Sequence, residues 1–100
     1  MRTVLCFGDS NTWGFDPETD GRRPWEQRWP GCLQRLLGLG YRVVEEGLNG
    51  RTACWEDPLS HGRNGRAMLG PLLESHFPVD MLVLMLGTNE MKSRFGLTAH

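Results

Sequence analysis

Ser10 stands in the run Phe7-Gly8-Asp9-Ser10-Asn11, directly after the apolar stretch Thr3-Val4-Leu5-Cys6-Phe7. A serine in a tight turn at the end of a buried strand is exposed at the rim of a sheet, and its backbone N–H can point into the same space. Acyl transfer needs such a nucleophile, together with donors aimed at the oxyanion that develops. Two later turns offer donors. Gly50, within Gly47-Leu48-Asn49-Gly50-Arg51-Thr52, permits close backbone approach and presents an N–H with no side chain in the way. Asn89, within Gly87-Thr88-Asn89-Glu90, carries a side-chain amide. Taken singly, each is an ordinary strand-to-helix turn residue chosen for its backbone angles. Three such turns, each directly after a strand, favour one shared site.

The elements that must position these residues follow from periodicity. Residues 3–7 read as a buried strand, and Thr12 to Gln27, with Gly14, Pro17, Gly21 and Pro24, as a long surface loop. Trp29-Pro30 opens a helix with Leu33, Leu36 and Leu37 on one face, stopped by Gly38 and Gly40. Tyr41 to Glu46 is a second strand, and Gly47 to Arg63 a second loop. Asn64 suits an N-cap for a helix with the stripe Met68, Leu69, Leu72, Leu73 and His76, which Pro71 would kink or delay. Met81 to Leu86 is a continuous apolar strand. Alternating strands and helices imply an α/β fold, a flavodoxin-like three-layer sandwich with a parallel sheet and right-handed crossovers. In such a sheet ligands bind beyond the carboxyl ends of the strands, so the three polar turns converge on one rim.

At this point the residues resemble a known family. Phe7-Gly8-Asp9-Ser10-Asn11-Thr12-Trp13-Gly14 is similar to the first block of the SGNH (GDSL-type) hydrolases, with Asn11 in place of the leucine of the family's name. Glu45-Glu46-Gly47-Leu48-Asn49-Gly50-Arg51-Thr52 resembles the second block, and Leu86-Gly87-Thr88-Asn89-Glu90 the third, with Glu90 for the usual aspartate. Arg28-Trp29, Asp57-Pro58 and Asn64-Gly65 are similar to the arylesterase and acyltransferase branch. The resemblance implies an ester hydrolase in which Ser10 is the nucleophile and attack gives an acyl-enzyme, released to water or to an alcohol. It implies an oxyanion hole made of the Ser10 N–H, the Gly50 N–H and the Asn89 side chain. Trp13 and Phe15 could wall an acyl pocket, whereas Trp25, Trp29 and Trp55 stand equally for pocket or packing.

The family's fourth element, Asp-x-x-His, supplies the general base and its orienting aspartate, and it does not occur here. His61, His76 and His100 have no aspartate at the required offset. A family domain is about twice this length, so residues 1–100 are expected to be its N-terminal portion, with about three of five strands. The apolar strand at Met81 to Leu86 suits a central place in a parallel sheet; without further strands it becomes an exposed edge prone to aggregation. A fragment without the histidine base is expected to be inactive alone.

Composition limits the remaining classes. A net charge of -1 and scattered basic residues give no reason to expect nucleic acid. No apolar stretch approaches the roughly 20 residues needed to cross a bilayer, and no signal-peptide core follows Met1. Three cysteines without a CxxC pair favour reduced thiols and a cytoplasmic location. No metal-ligand spacing is present and no cofactor is expected, and the partner is a small-molecule ester; a homo-oligomer of the complete protein stays open. Glu45 and Glu46, adjacent on a strand, point to opposite faces and are not a catalytic pair. Asp9 supports its turn. Two alternatives remain: a non-catalytic module holding phosphate or nucleotide on the same turns, although neither a Gly-x-Gly-x-x-Gly nor a Walker-type sequence is present, and an inactive relative acting through protein contacts.

Overall fold

The computed structural model describes residues 1–87 and residue 89. Three parallel strands, β1 (Arg2–Gly8), β4 (Tyr41–Gly47) and β5 (Met81–Met85), form one sheet in the order β4-β1-β5. This is the 2-1-3 order expected of a flavodoxin-like sheet. β1 is central, and Val4, Leu5, Cys6 and Phe7 are each at most 2% exposed. Alternation along the strand divides them. Val4 and Cys6 join Val43 on the face covered by Trp25, Trp29, Leu33 and Leu37. Phe7 faces the opposite side, towards Leu69 and Leu84.

Helix α2 (Trp29–Leu37) carries Pro30 in its first turn and ends at Gly38, whose φ is 83°. Leu33 and Leu37 pack on the core, but Leu36 is 83% exposed. The core-facing stripe is therefore the partly buried Trp29, Leu33 and Leu37, at i, i+4 and i+8, and Leu36 falls on its shoulder. The Gln34 side chain ties this helix to the outer strand, donating to Gly38 O and Tyr41 O and accepting from Val43 N.

The stretch from Thr12 to Gln27 is not the plain loop that its composition suggests. It holds the end of α1 (Ser10–Trp13), a two-residue antiparallel pairing of β2 (Phe15–Asp16) with β3 (Gly21–Arg22), and a 3-10 turn at Trp25–Gln27. Pieces of two to four residues are too short to show a period. Helix α3 (Gly65–Ser75) begins where Asn64 predicts, with Asn64 Oδ1 accepting from Arg66 N, and it continues through Pro71.

β5 is one edge of the described sheet, with Met81, Leu84 and Met85 exposed by 58%, 55% and 43%. Its alignment is set at its start. Asp80 Oδ2 accepts from Thr3 N at 2.7 Å, and Asp80 N donates to Thr3 O at 2.9 Å. Among the described residues no helix is long and apolar enough to cross a membrane.

Two glycines end β1 and β4 and let α1 settle onto the sheet. A Cβ on Gly8 would strike Thr12 Oγ1 and Met85 O, and one on Gly47 would strike the backbone N of Trp13. Gly47→Ala is accordingly expected to cost about 1–3 kcal/mol through overpacking against backbone that cannot yield. Gly40→Ala, which meets nothing within 4 Å, should change stability by no more than about 0.5 kcal/mol. Urea denaturation of the two variants beside the parent checks both values.

Burial on β1 pushes the Cys6 thiol from 9.0 up to about 11, with Glu45 adding to the rise. The folded state thus holds a proton that the unfolded chain loses first. The resulting stabilisation is complete below pH 9.0 and is lost as the pH climbs towards about 11. A thiol-reactive disulfide at pH 8 is expected to modify the exposed Cys54 quickly and Cys6 only on unfolding; equal rates at both would contradict this burial.

Candidate active site

Ser10 is the first residue of α1, and Asp9 is its cap. Asp9 Oδ1 accepts from Asn11 N at 3.0 Å, and Asp9 O accepts from Thr12 N and Trp13 N. Gly14, at a φ of 95°, closes the turn by donating its N–H to Ser10 O at 2.8 Å. Asp9 and Thr12 are both buried. The serine is thus held at the carboxyl end of the central strand, half-buried, and Asp9 serves the turn as expected.

Ser10 opens onto a cavity of about 450 Å³ whose walls include Phe15, Arg23, Gln27, Arg28 and Trp29. Of the two aromatics expected to wall a pocket, Phe15 does so. Trp13 is not among the lining residues: its ring lies under the Arg22 guanidinium at 4.7 Å. Trp29 takes its place and combines both readings left open for it, since it packs on the core and also lines the cavity. Its Nε1 donates to Thr12 Oγ1 at 3.1 Å.

The outer wall is fastened by charge. Glu45 Oε1 accepts from Arg28 Nη2 at 2.8 Å and from Arg22 Nη2 at 3.2 Å. Arg22 Nε continues to Trp13 O, and Arg28 Nη1 to Arg23 O. Glu46, next along β4, meets His76 Nε2 at 3.2 Å at the end of α3. The two carboxylates therefore serve opposite faces of the sheet, as expected of adjacent strand residues. His76 has the helix-end role anticipated for it, His61 is exposed, and His100 lies outside the described residues.

The other two turns reach Ser10's turn through a chain of contacts. Leu48 N donates to Gly8 O at 3.2 Å, and Arg51 N to Leu48 O at 3.1 Å, closing a turn in which Gly50 has a φ of 81°. That left-handed conformation suits glycine. Asn89 is buried, and its Nδ2 donates to Arg51 O at 2.9 Å. An amide nitrogen carries two hydrogens, so this bond orients the group and leaves one hydrogen to donate elsewhere. Thr88 and Glu90 lie outside the described residues.

Arg51 is the residue that reading by motif missed. Only 4% exposed, it donates from Nη1 to Gly8 O at 3.2 Å and to Glu46 O at 2.6 Å, and its guanidinium lies 4.1 Å from the centre of the Phe7 ring. Among the described residues no carboxylate is within ion-pair distance of it. Burial presses this guanidinium below its ordinary value; Glu46 opposes that shift and Arg63 adds to it. An arginine beside a turn glycine is normally read as solvated, and nothing in its spacing announces the opposite. Among the described residues no cluster of His, Cys, Asp and Glu could hold a metal ion.

Comparison with known proteins identifies the family. Residues 6–99 match the model of the GDSL-like lipase/acylhydrolase family. No curated protein matches the chain. Among solved structures, a carbohydrate acetylesterase family member from Sinorhizobium meliloti is 49% identical with a TM-score of 0.92, over 95% of this chain and 45% of that one. The native aryl esterase of M. smegmatis is 42% identical with a TM-score of 0.93, over 98% of this chain and 47% of that one. Its inhibitor-bound form aligns with the same TM-score at 41% identity, over 98% of this chain and 47% of that one. The chain therefore spans slightly less than half the length of these structures. With its parallel three-stranded sheet and Ser10 turn, the chain belongs to the GDSL-like lipase/acylhydrolase family.

Proposed function

We propose that residues 1–100 are the N-terminal portion of a serine esterase that acts on small-molecule esters through an acyl-enzyme on Ser10. A histidine from the absent Asp-x-x-His segment removes the Ser10 Oγ proton as that oxygen attacks the ester carbonyl. The tetrahedral oxyanion is received by the Ser10 N–H, the Gly50 N–H and the remaining Asn89 Nδ2 hydrogen. Collapse expels the alcohol, which takes the histidine's proton, and water then releases the acid; an alcohol in its place gives acyl transfer. The solved structures named for carbohydrate acetyl and aryl esters support a short acyl group such as acetyl. Three free cysteines support a reducing, cytoplasmic setting.

The observation that carries this reading is the orientation of Asn89. A buried side-chain amide from the third turn is anchored on the carbonyl of the residue after Gly50, in the second turn, whose own backbone is bonded to the end of β1. One amide hydrogen is thereby aimed while the other stays available.

The test uses the complete protein and 4-nitrophenyl acetate. Ser10→Ala is expected to lower kcat by roughly six orders of magnitude. Asn89→Ala should lower it by about 10²–10³-fold, the usual effect of losing one oxyanion donor. The 100-residue chain alone should show no turnover that depends on Ser10. Undiminished turnover in the Ser10→Ala protein would falsify the proposal.

A further inference from the structure

We infer that Arg51 is a positioning residue for this reaction: its guanidinium, bonded to the carbonyls of Gly8 and Glu46, sets the Gly50 amide against the Ser10 turn, and its own carbonyl aims Asn89. The inference rests on the esterase reading above. Its basis is the number of site elements that pass through one residue. Gly8 ends β1 two residues before Ser10, Glu46 lies at the end of β4, and Gly50 is covalently adjacent. Arg51 thus contacts Asn89 directly, adjoins Gly50 in the chain, and touches the strand end two residues before Ser10.

Keeping a cation here is costly unless its donors are satisfied. Nη1 meets two carbonyls, and the planar group lies against the Phe7 ring, yet Nε is buried with no partner among the described residues. An apolar residue would avoid that cost, but it would remove the side-chain bonds to Gly8 O and Glu46 O and leave the Gly50 turn held to β1 by the Leu48 N–Gly8 O bond. Among the described residues no carboxylate lies within ion-pair distance of the guanidinium.

Lysine cannot reproduce this arrangement, since a point ammonium lacks the planar fork and the ring stacking of guanidinium. In the complete protein, Arg51→Met is expected to lower kcat per active site by about 10²-fold, the scale of a displaced catalytic geometry, with KM little changed. Arg51→Lys should fall between that variant and the parent. Active sites are counted by titration with a fluorophosphonate that labels Ser10, so loss of folded protein does not enter the rate. The second-order labelling rate, which also forms an oxyanion, should drop in parallel with kcat.

A purely structural arginine would lower the melting temperature and the titratable fraction but leave kcat per labelled site equal to the parent's, and that result would overturn the inference. If Arg51→Met gives no folded protein, Arg51→Lys decides by the same criterion. An active parent with unchanged variants defeats the role of Arg51 alone. A parent in which Ser10 neither labels nor turns over defeats the esterase reading itself.

Discussion

Where the parallel ladder ends, one buried guanidinium bridges the carbonyls of two neighbouring strands, that of Gly8 also accepting from Leu48 N. Arg51 joins Gly8 to Glu46 and lies against Phe7, the last large side chain of the central strand. Parallel strands deliver their turns to one rim, but topology alone places those turns only to within several ångströms. The short links at the rim reduce that latitude: Leu48 to Gly8, Arg51 to Glu46, and Asn89 to Arg51. The glycines beneath them allow α1 to approach the sheet closely.

The walls around Ser10 obey a different logic. Among the described residues the buried hydrophobic side chains are few, Val4, Leu5, Cys6, Phe7 and Val43, and they lie on β1 and its neighbour β4. The segment from Phe15 to Arg28 covers the cavity and reaches the core through Trp25. It is held through Glu45, with Arg22 and Arg28 converging on one carboxylate oxygen and stacking on Trp13 and Trp25. Such part-exposed pairs contribute modest energy singly, but together they fix where the cavity's polar wall stands relative to Ser10.

How much of this could be read from sequence depends on the length of each signal. The three strands, the two longer helices, the Asn64 cap and the Asp9 turn all follow from runs of five or more residues or from local capping chemistry. The β2–β3 pairing and the 3-10 turn were not legible, because pieces this short leave no period. Leu36 looked buried because spacing of three or four residues does not distinguish the middle of a stripe from its shoulder; Trp29 decides it by occupying the position one turn earlier. Trp13 and Phe15 flank Gly14, and no rule of spacing tells which faces the cavity, since that depends on where Arg22 stacks. The role of Arg51 is hidden for a similar reason. Its partners are backbone carbonyls at positions 8 and 46, which carry no sequence signature at all.

The paired contact between Asp80 and Thr3 has an effect on the far end of the sheet. Side chains alternate along a strand, so sliding β5 by one residue past β1 would exchange its two faces, sending Val83 to the side now occupied by Leu82 and Leu84. Asn89, four residues beyond the end of β5, would then leave the strand in the opposite phase and miss the Arg51 carbonyl. A carboxylate and an amide at the amino end of the strand thus act as a stop. Together with the ladder, they hold the register in which the Asn89 amide meets the Arg51 carbonyl.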